Sequence, residues 1–293
     1  MPKIDKILIL GKNSRSINIY EYLLSNSYSV SLGDIPVGAE KSFNIEQQEI
    51  AFEALDEFSL VILAGVSRIF ETTILKLPKF GMLTCHAGAL PEYRGSSPLS
   101  WSLLNGEKFI GLSVIQTATQ IDGGHIYSSA RFDIDKLENI DDLHNLADES
   151  FPFLVHTAIL NIENNISPVK QISNFQGYYP LRNRDDSRIH FSIMTAEYIK
   201  RLFNSINPRY GNPYFTFHDT EVEVLSVDIR QDFHGVPGKI YQILGNKILV
   251  ACTIDAVWLS LKSTKELELF KRYGIISSNG NGNGNGNGNV DVT

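Results

Sequence analysis

Short unbroken apolar runs, each stopped by glycine, alternate with amphipathic stretches through the first half of the chain. Lys6–Gly11 and Leu60–Gly65 are runs of this kind, and each reads as a strand buried on both faces. Tyr28–Gly33, Met82–Cys85, Gly111–Ala118 and Gly124–Ile134 are further strand candidates. Between them, Asn13, Ser14 and Ser16 can cap a helix whose apolar stripe is Ile17, Ile19, Tyr20, Leu23 and Leu24. Glu46–Leu55 has helical spacing, and Phe70–Leu77 is a helix candidate closed by Pro78. Only about two strands and two helices therefore precede Leu60. Ser96, Ser97 and Pro98 open another helix, with proline in the first turn, where it is tolerated. Asn139–Asn165 is a long helical pattern, bent or broken at Pro152. Strands alternating with helices predict a parallel α/β sheet.

The rhythm then changes. Asn174–Arg184 reads as an irregular crossing, and Thr195–Ile206 as one amphipathic helix. Strand candidates follow at Tyr214–Phe217, Glu221–Ile229, Lys239–Leu244, Lys247–Ala251 and Val257–Leu261, separated by Asp, Gly and Pro turns. Short strands at this spacing predict a small β-barrel or sandwich. Asn279–Asn289 alternates Asn with Gly and cannot build a core, so disorder is expected there. The expected organisation is an α/β domain at 1–173, a linker at 174–188, a small β-rich domain at 189–270 and a tail at 271–293.

Composition narrows the partners. At roughly 150 residues per domain, 293 residues suit two domains. A net charge of -7 argues against a nucleic-acid partner, whose affinity is largely electrostatic. The two cysteines, Cys85 and Cys252, have no partners at metal-ligand spacing and suit a reducing compartment. The first residues lack a signal-peptide core, and no apolar run approaches the roughly 18 residues of a membrane span, so a cytoplasmic location is expected. No motif points to a metal, and Gly11-Lys12-Asn13-Ser14 lacks the dinucleotide fingerprint.

Candidate chemistry concentrates between Gly81 and Gly124. An apolar strand delivers His86, and Ala87–Gly95 is a tight loop of small residues, a proline and a glycine. A second strand ends in the turn Ile121-Asp122-Gly123-Gly124. An imidazole at a strand end and a carboxylate in a nearby loop can handle protons together. Strand alternation puts Thr84 on the face of His86 and Cys85 on the other, which argues against a cysteine nucleophile.

His86, Leu90-Pro91, Tyr93-Arg94-Gly95, Pro98, Trp101, Asn105-Gly106-Glu107, Gly111 and Asp122-Gly123-Gly124 together resemble the tetrahydrofolate-dependent formyltransferases. The likeness is weaker at Asp186–Phe191 and Pro208–Gly211. It implies a Rossmann-like α/β domain followed by a smaller β-barrel-like (OB-like) domain. It also implies transfer of a formyl group from N10-formyltetrahydrofolate to a primary amine. By this resemblance His86 and Asp122 are catalytic. Thr84 stands where the family has an asparagine that stabilises the oxyanion. Ala64, Gly65, Val66 and Ile69 sit where relatives contact folate, and Gly88, Arg94 and Gly95 belong to the acceptor site. Arg94 is equally open as a structural ion-pair partner. The implied acceptor is an amino sugar carried on a nucleotide, with methionyl-tRNA as a rival. A binding module of the same fold, a folate hydrolase and a homodimeric assembly also stay open.

Overall fold

The computed structural model describes residues 3–34, 42–45, 48–66, 68–172, 178–217 and 220–262. The chain divides into two compact units. The first comprises Met1–Ser102, Glu107–Leu137 and Asp142–Leu181; the second comprises Leu103–Gly106, Glu138–Asp141 and the chain from Arg182 onward. Residue 173, linker residues 174–177 and the Asn/Gly tail lie outside the described residues.

In the first unit the apolar runs become β1 (Ile7–Leu10), β5 (Leu60–Ala64) and β6 (Met82–His86). With β2 (Val30–Asp34) they form the parallel centre of an eight-stranded sheet, ordered β4-β3-β2-β1-β5-β6-β7-β8. Every residue of β1 and β5 is buried. Leu8, Leu10, Val61, Leu63 and Met82 pack with Leu55, Phe58 and Phe70 in one cluster. By alternation, Ile7, Ile9 and Ile62 turn to the opposite face. The sheet is parallel only at its centre. Strands β7 (Phe109–Gln116) and β8 (Ile126–Asp133) add to β6 as antiparallel neighbours.

Two expectations change here. The described part of Glu46–Leu55 is not an α-helix: β3 (Ser42–Ile45) and β4 (Gln48–Ala51) pair antiparallel beside β2, and a 3₁₀ turn follows at Phe52–Glu57. Pairing with the sheet edge outweighs the helix propensity of this Glu- and Gln-rich segment. Among the described residues, four strands and one α-helix, α1 (Ser14–Ser25), therefore precede Leu60. Helix α2 is a single turn, Thr72–Leu75, and α3 runs Pro98–Asn105.

Helix α4 (Ile140–Glu163) is the other change, since it runs unbroken through Pro152. Its buried residues Leu143, Ala147, Phe151, Val155, Ala158 and Ile159 keep helical spacing across the proline. Proline at 152 leaves the carbonyl four residues back, at Asp148, without its helical donor. Asn18 of α1 supplies one, its Nδ2 lying 3.1 Å from that oxygen.

In the second unit, Thr195 caps α5 (Ala196–Ile206), donating no charge but accepting the Tyr198 N–H. Strands β9 (Tyr214–Phe217), β10 (Thr220–Arg230), β11 (Ile240–Leu244), β12 (Lys247–Ala251) and β13 (Ala256–Leu261) match the sequence pattern closely. They form one antiparallel sheet ordered β11-β12-β13-β10-β9. Among the described residues no helix is long and apolar enough to cross a membrane.

Candidate functional site

From β1 the chain steps to β2 on one side of the sheet, and from β5 to β6 on the other. Ligands of open α/β sheets bind beyond the carboxyl ends of strands at such a reversal. His86 closes β6 at that end of the sheet, and Ala64 closes the neighbouring β5, in register with Cys85.

His86 is only 6% exposed, and both ring nitrogens face oxygen. Its Nε2 lies 2.7 Å from the Tyr93 carbonyl, and its Nδ1 lies 3.4 Å from Asp122 Oδ2. A carbonyl only accepts, so Nε2 carries the hydrogen. Nδ1 and Oδ2 then confront each other as two acceptors unless a proton lies between them. The same carboxylate oxygen accepts the Gly95 N–H at 2.8 Å.

Local backbone geometry builds this triangle. The loop after β6 turns back through a Tyr93 N–H to Ala89 carbonyl bond of 2.8 Å and contains the cis peptide Leu90–Pro91. Gly88 leaves room for the imidazole, since a Cβ there would lie 2.6 Å from both His86 Nε2 and the Tyr93 oxygen. Gly95 has φ 103, and a Cβ would collide with the Tyr179 backbone running beside it. Tyr179 donates its N–H to the Arg94 carbonyl and accepts the Ser96 N–H, each at 2.8 Å. Its ring stacks on Tyr93 with centroids 4.9 Å apart, and Trp101 tilts against it at 5.4 Å. The Trp101 indole donates to the Pro180 carbonyl, and the Tyr93 hydroxyl to Glu107. Asp122 occupies the left-handed region at φ 47, which a short polar residue tolerates in a turn.

The other sequence candidates fall in several places. Thr84 is partly buried, and its hydroxyl lies 2.8 Å from that of Thr117, just beyond β7. Arg94 directs Nε and Nη2 to Gln171 Oε1, at 3.0 and 2.6 Å. Of the four folate candidates, the Ala64 carbonyl accepts from Asn13 Nδ2 at 3.1 Å, and Gly65 has φ 81. Val66 packs against the cluster of β1 and β5, whereas Ile69 is 65% exposed. Cys85 is buried, and burial pushes its thiol up to about 12, so no thiolate is present near neutral pH. No cluster of His, Cys, Asp and Glu able to hold a metal occurs among the described residues.

Thr117, Gln171 and Tyr179 escaped the sequence reading. They lie in irregular segments, and only long-range hydrogen bonds bring Thr117 to Thr84, Gln171 to Asp122, and Tyr179 to Arg94 and Ser96.

A model described as formyl transferase matches residues 37–156, and one described as formyl transferase, C-terminal domain, matches 182–267. The methionyl-tRNA formyltransferase of Clostridium tetani is 30% identical over 218 residues, covering 72% of this chain and 69% of that protein. That of Alkaliphilus oremlandii is 31% identical over 195 residues, covering 66% of this chain and 62% of its own. The chain thus spans about two thirds of the length of these relatives. Among solved structures, an N-formyltransferase from Helicobacter canadensis, in complex with folinic acid and dTDP-3-aminofucose, aligns with a TM-score of 0.67 at 20% identity. The alignment covers 89% of this chain and 100% of that one.

Proposed function

Because the chain belongs to the formyl transferase family, we propose that it moves a formyl group from N10-formyltetrahydrofolate to the primary amine of an amino sugar carried on a nucleotide. The observation that carries this reading is the approach of His86 Nδ1 to Asp122 Oδ2, 3.4 Å apart at the end of β6. Formyl transfer to an amine needs a place for one proton. The amine nitrogen bonds to the formyl carbon, and the carbonyl electrons move onto oxygen. The ammonium then formed gives up a proton. When no proton lies between them, His86 Nδ1 and Asp122 Oδ2 face each other as acceptors, and receiving the proton replaces their repulsion with a hydrogen bond. Breaking of the bond from carbon to N10, with a proton returned to that nitrogen, leaves the N-formyl product and tetrahydrofolate.

Thr84 has the role of hydroxyl donor to the developing oxyanion. With Thr117 donating to Thr84 Oγ1, the Thr84 hydrogen is available for that oxygen. Ala64, at the end of β5 beside β6, and Gly65 and Val66 just after it have the folate role, with Ile69 in reach of solvent. Gly88 and Gly95 act on the acceptor side by shaping the loop; Arg94 does so through its bonds to Gln171.

Support for the sugar acceptor comes from the Helicobacter canadensis structure and from the charges on the second unit. There Arg184 pairs with Glu221 and Glu223, Lys262 with Glu223, and Lys247 with Asp228. Cations interleaved with acids make a poor phosphate-tracking surface. Methionyl-tRNA is the second reading, favoured by the bacterial relatives at 30% and 31% identity. Mass spectrometry after incubation with N10-formyltetrahydrofolate and either dTDP-3-aminofucose or methionyl-tRNA separates the two. A formyl adduct on the sugar is expected, and one on methionyl-tRNA alone would reverse the order. His86→Ala should lower kcat by about 10²–10⁴ while folinic acid still binds in calorimetry. Unchanged turnover would sink the mechanism.

A further inference from the structure

The geometry points to Gln171 as the positioning residue of the site, acting on Asp122 and resting on the formyl-transfer reading above. A carboxamide offers two lone pairs and two N–H groups, and all four are used here. Oε1 accepts from Arg94 Nε and Nη2, at 3.0 and 2.6 Å. Nε2 donates to the Asp122 carbonyl at 2.8 Å and to the Gly124 carbonyl at 2.7 Å. Exchanging the amide oxygen and nitrogen would set N–H against guanidinium and oxygen against two carbonyls. The orientation is therefore fixed by its partners.

The consequence concerns the carboxylate. Its backbone is in the left-handed region, a conformation that surrounding contacts must hold. Gln171 supplies two of those contacts, and Gly95 fixes the carboxylate from the other side. Arg94 precedes Gly95 and is tied to the same amide. One side chain thus links the two segments that meet at Asp122 Oδ2, the oxygen facing His86. Gln171 itself is delivered by the bridge between Val169 and Ile126, whose two reciprocal bonds each measure 2.8 Å. Gln171 touches no reacting atom in this assignment. It aims one that does.

Three variants and one cycle test the role, using N10-formyltetrahydrofolate with whichever of dTDP-3-aminofucose or methionyl-tRNA the wild-type protein formylates. Gln171→Leu removes all four bonds. It should lower kcat by about 10²-fold, the scale of a small misplacement of a reacting group, with KM for N10-formyltetrahydrofolate little changed. Gln171→Glu still accepts from Arg94 but cannot donate to the Asp122 and Gly124 carbonyls, so the same fall in kcat is expected. In an Asp122→Asn background, Gln171→Leu should cost less than about 2-fold more, because its effect runs through a carboxylate already removed. A general structural role predicts that the losses multiply. Thermal melting checks folding, and Gln171→Glu carries the test should the leucine variant unfold. Wild-type kcat in Gln171→Glu, or multiplying losses in the cycle, would overturn the assignment while leaving formyl transfer standing. A wild-type protein inactive on both acceptors would remove the reading and the role together.

Discussion

An added methyl group probes His86 more sharply than a deletion does. Gly88→Ala would place a carbon 2.6 Å from His86 Nε2 and from the Tyr93 oxygen it binds, and Pro98 Cβ, 2.9 Å away, closes the third side. The imidazole must turn, and Nδ1 then loses its alignment with Asp122. Steady-state kinetics of Gly88→Ala should show kcat lower by about 10²-fold with folinic acid affinity kept, and undiminished kcat would contradict this geometry. At this scale the sequence pattern put His86 at a strand end and Asp122 in a glycine turn, and the fold brings the two together, whereas Gly88 and Gly95 entered through the family resemblance. It assigned Arg94 to the acceptor or to an ion pair, whereas the guanidinium meets a neutral amide from a segment carrying no periodic signal.

At the scale of elements, α1 and α4 are joined by a pair of contacts on the same residue. Arg15 Nε lies 3.0 Å from Asp148 Oδ1, with side chains 9% and 14% exposed, and its guanidinium covers the Phe151 ring at 4.7 Å. Asn18 meets the Asp148 carbonyl that Pro152 leaves over. Removing one partner of a buried ion pair costs about 3–5 kcal/mol, whereas replacing both by apolar groups of similar volume is often neutral. Urea unfolding should therefore find Arg15→Ala more destabilising than the Arg15→Met/Asp148→Leu double variant, and the reverse order would refute the argument. Here the sequence pattern was a partial guide. It read every strand of the second unit, where turn residues punctuate each run, and the buried strands β1, β5 and β6. It expected α4 bent or broken at Pro152, and the helix is unbroken because of a compensating amide that lies 130 residues away in the chain. It read β4 as helix because edge pairing leaves no local mark in a segment with good helix formers.

For the whole molecule, acid should act on both units. In the first, the Ser59 hydroxyl bonded to Asp5 holds that carboxyl below its ordinary range. In the second, Lys262 beside Glu223 does the same. A depressed carboxyl stabilises the fold above its unfolded pKa and loses that contribution as pH falls through the folded value. The loss should thus begin near pH 4, where free carboxylates titrate, and deepen below it. Melting curves followed by circular dichroism should show a falling Tm between pH 5 and pH 3, with a smaller fall in Ser59→Ala and Lys262→Ala. A Tm flat over that range would count against both pairs.

The chain contains two tryptophans, and each unit holds one: Trp101 against Tyr179 in the first, Trp258 on β13 in the second. Fluorescence can therefore listen to the units one at a time. In a Trp258→Phe protein the remaining indole, bonded to the Pro180 carbonyl, reports on the segment that lies beside Arg94-Gly95-Ser96. A change in its emission on adding folinic acid would tell whether the chain around the carboxylate shifts when the donor arrives, with no turnover needed to see it.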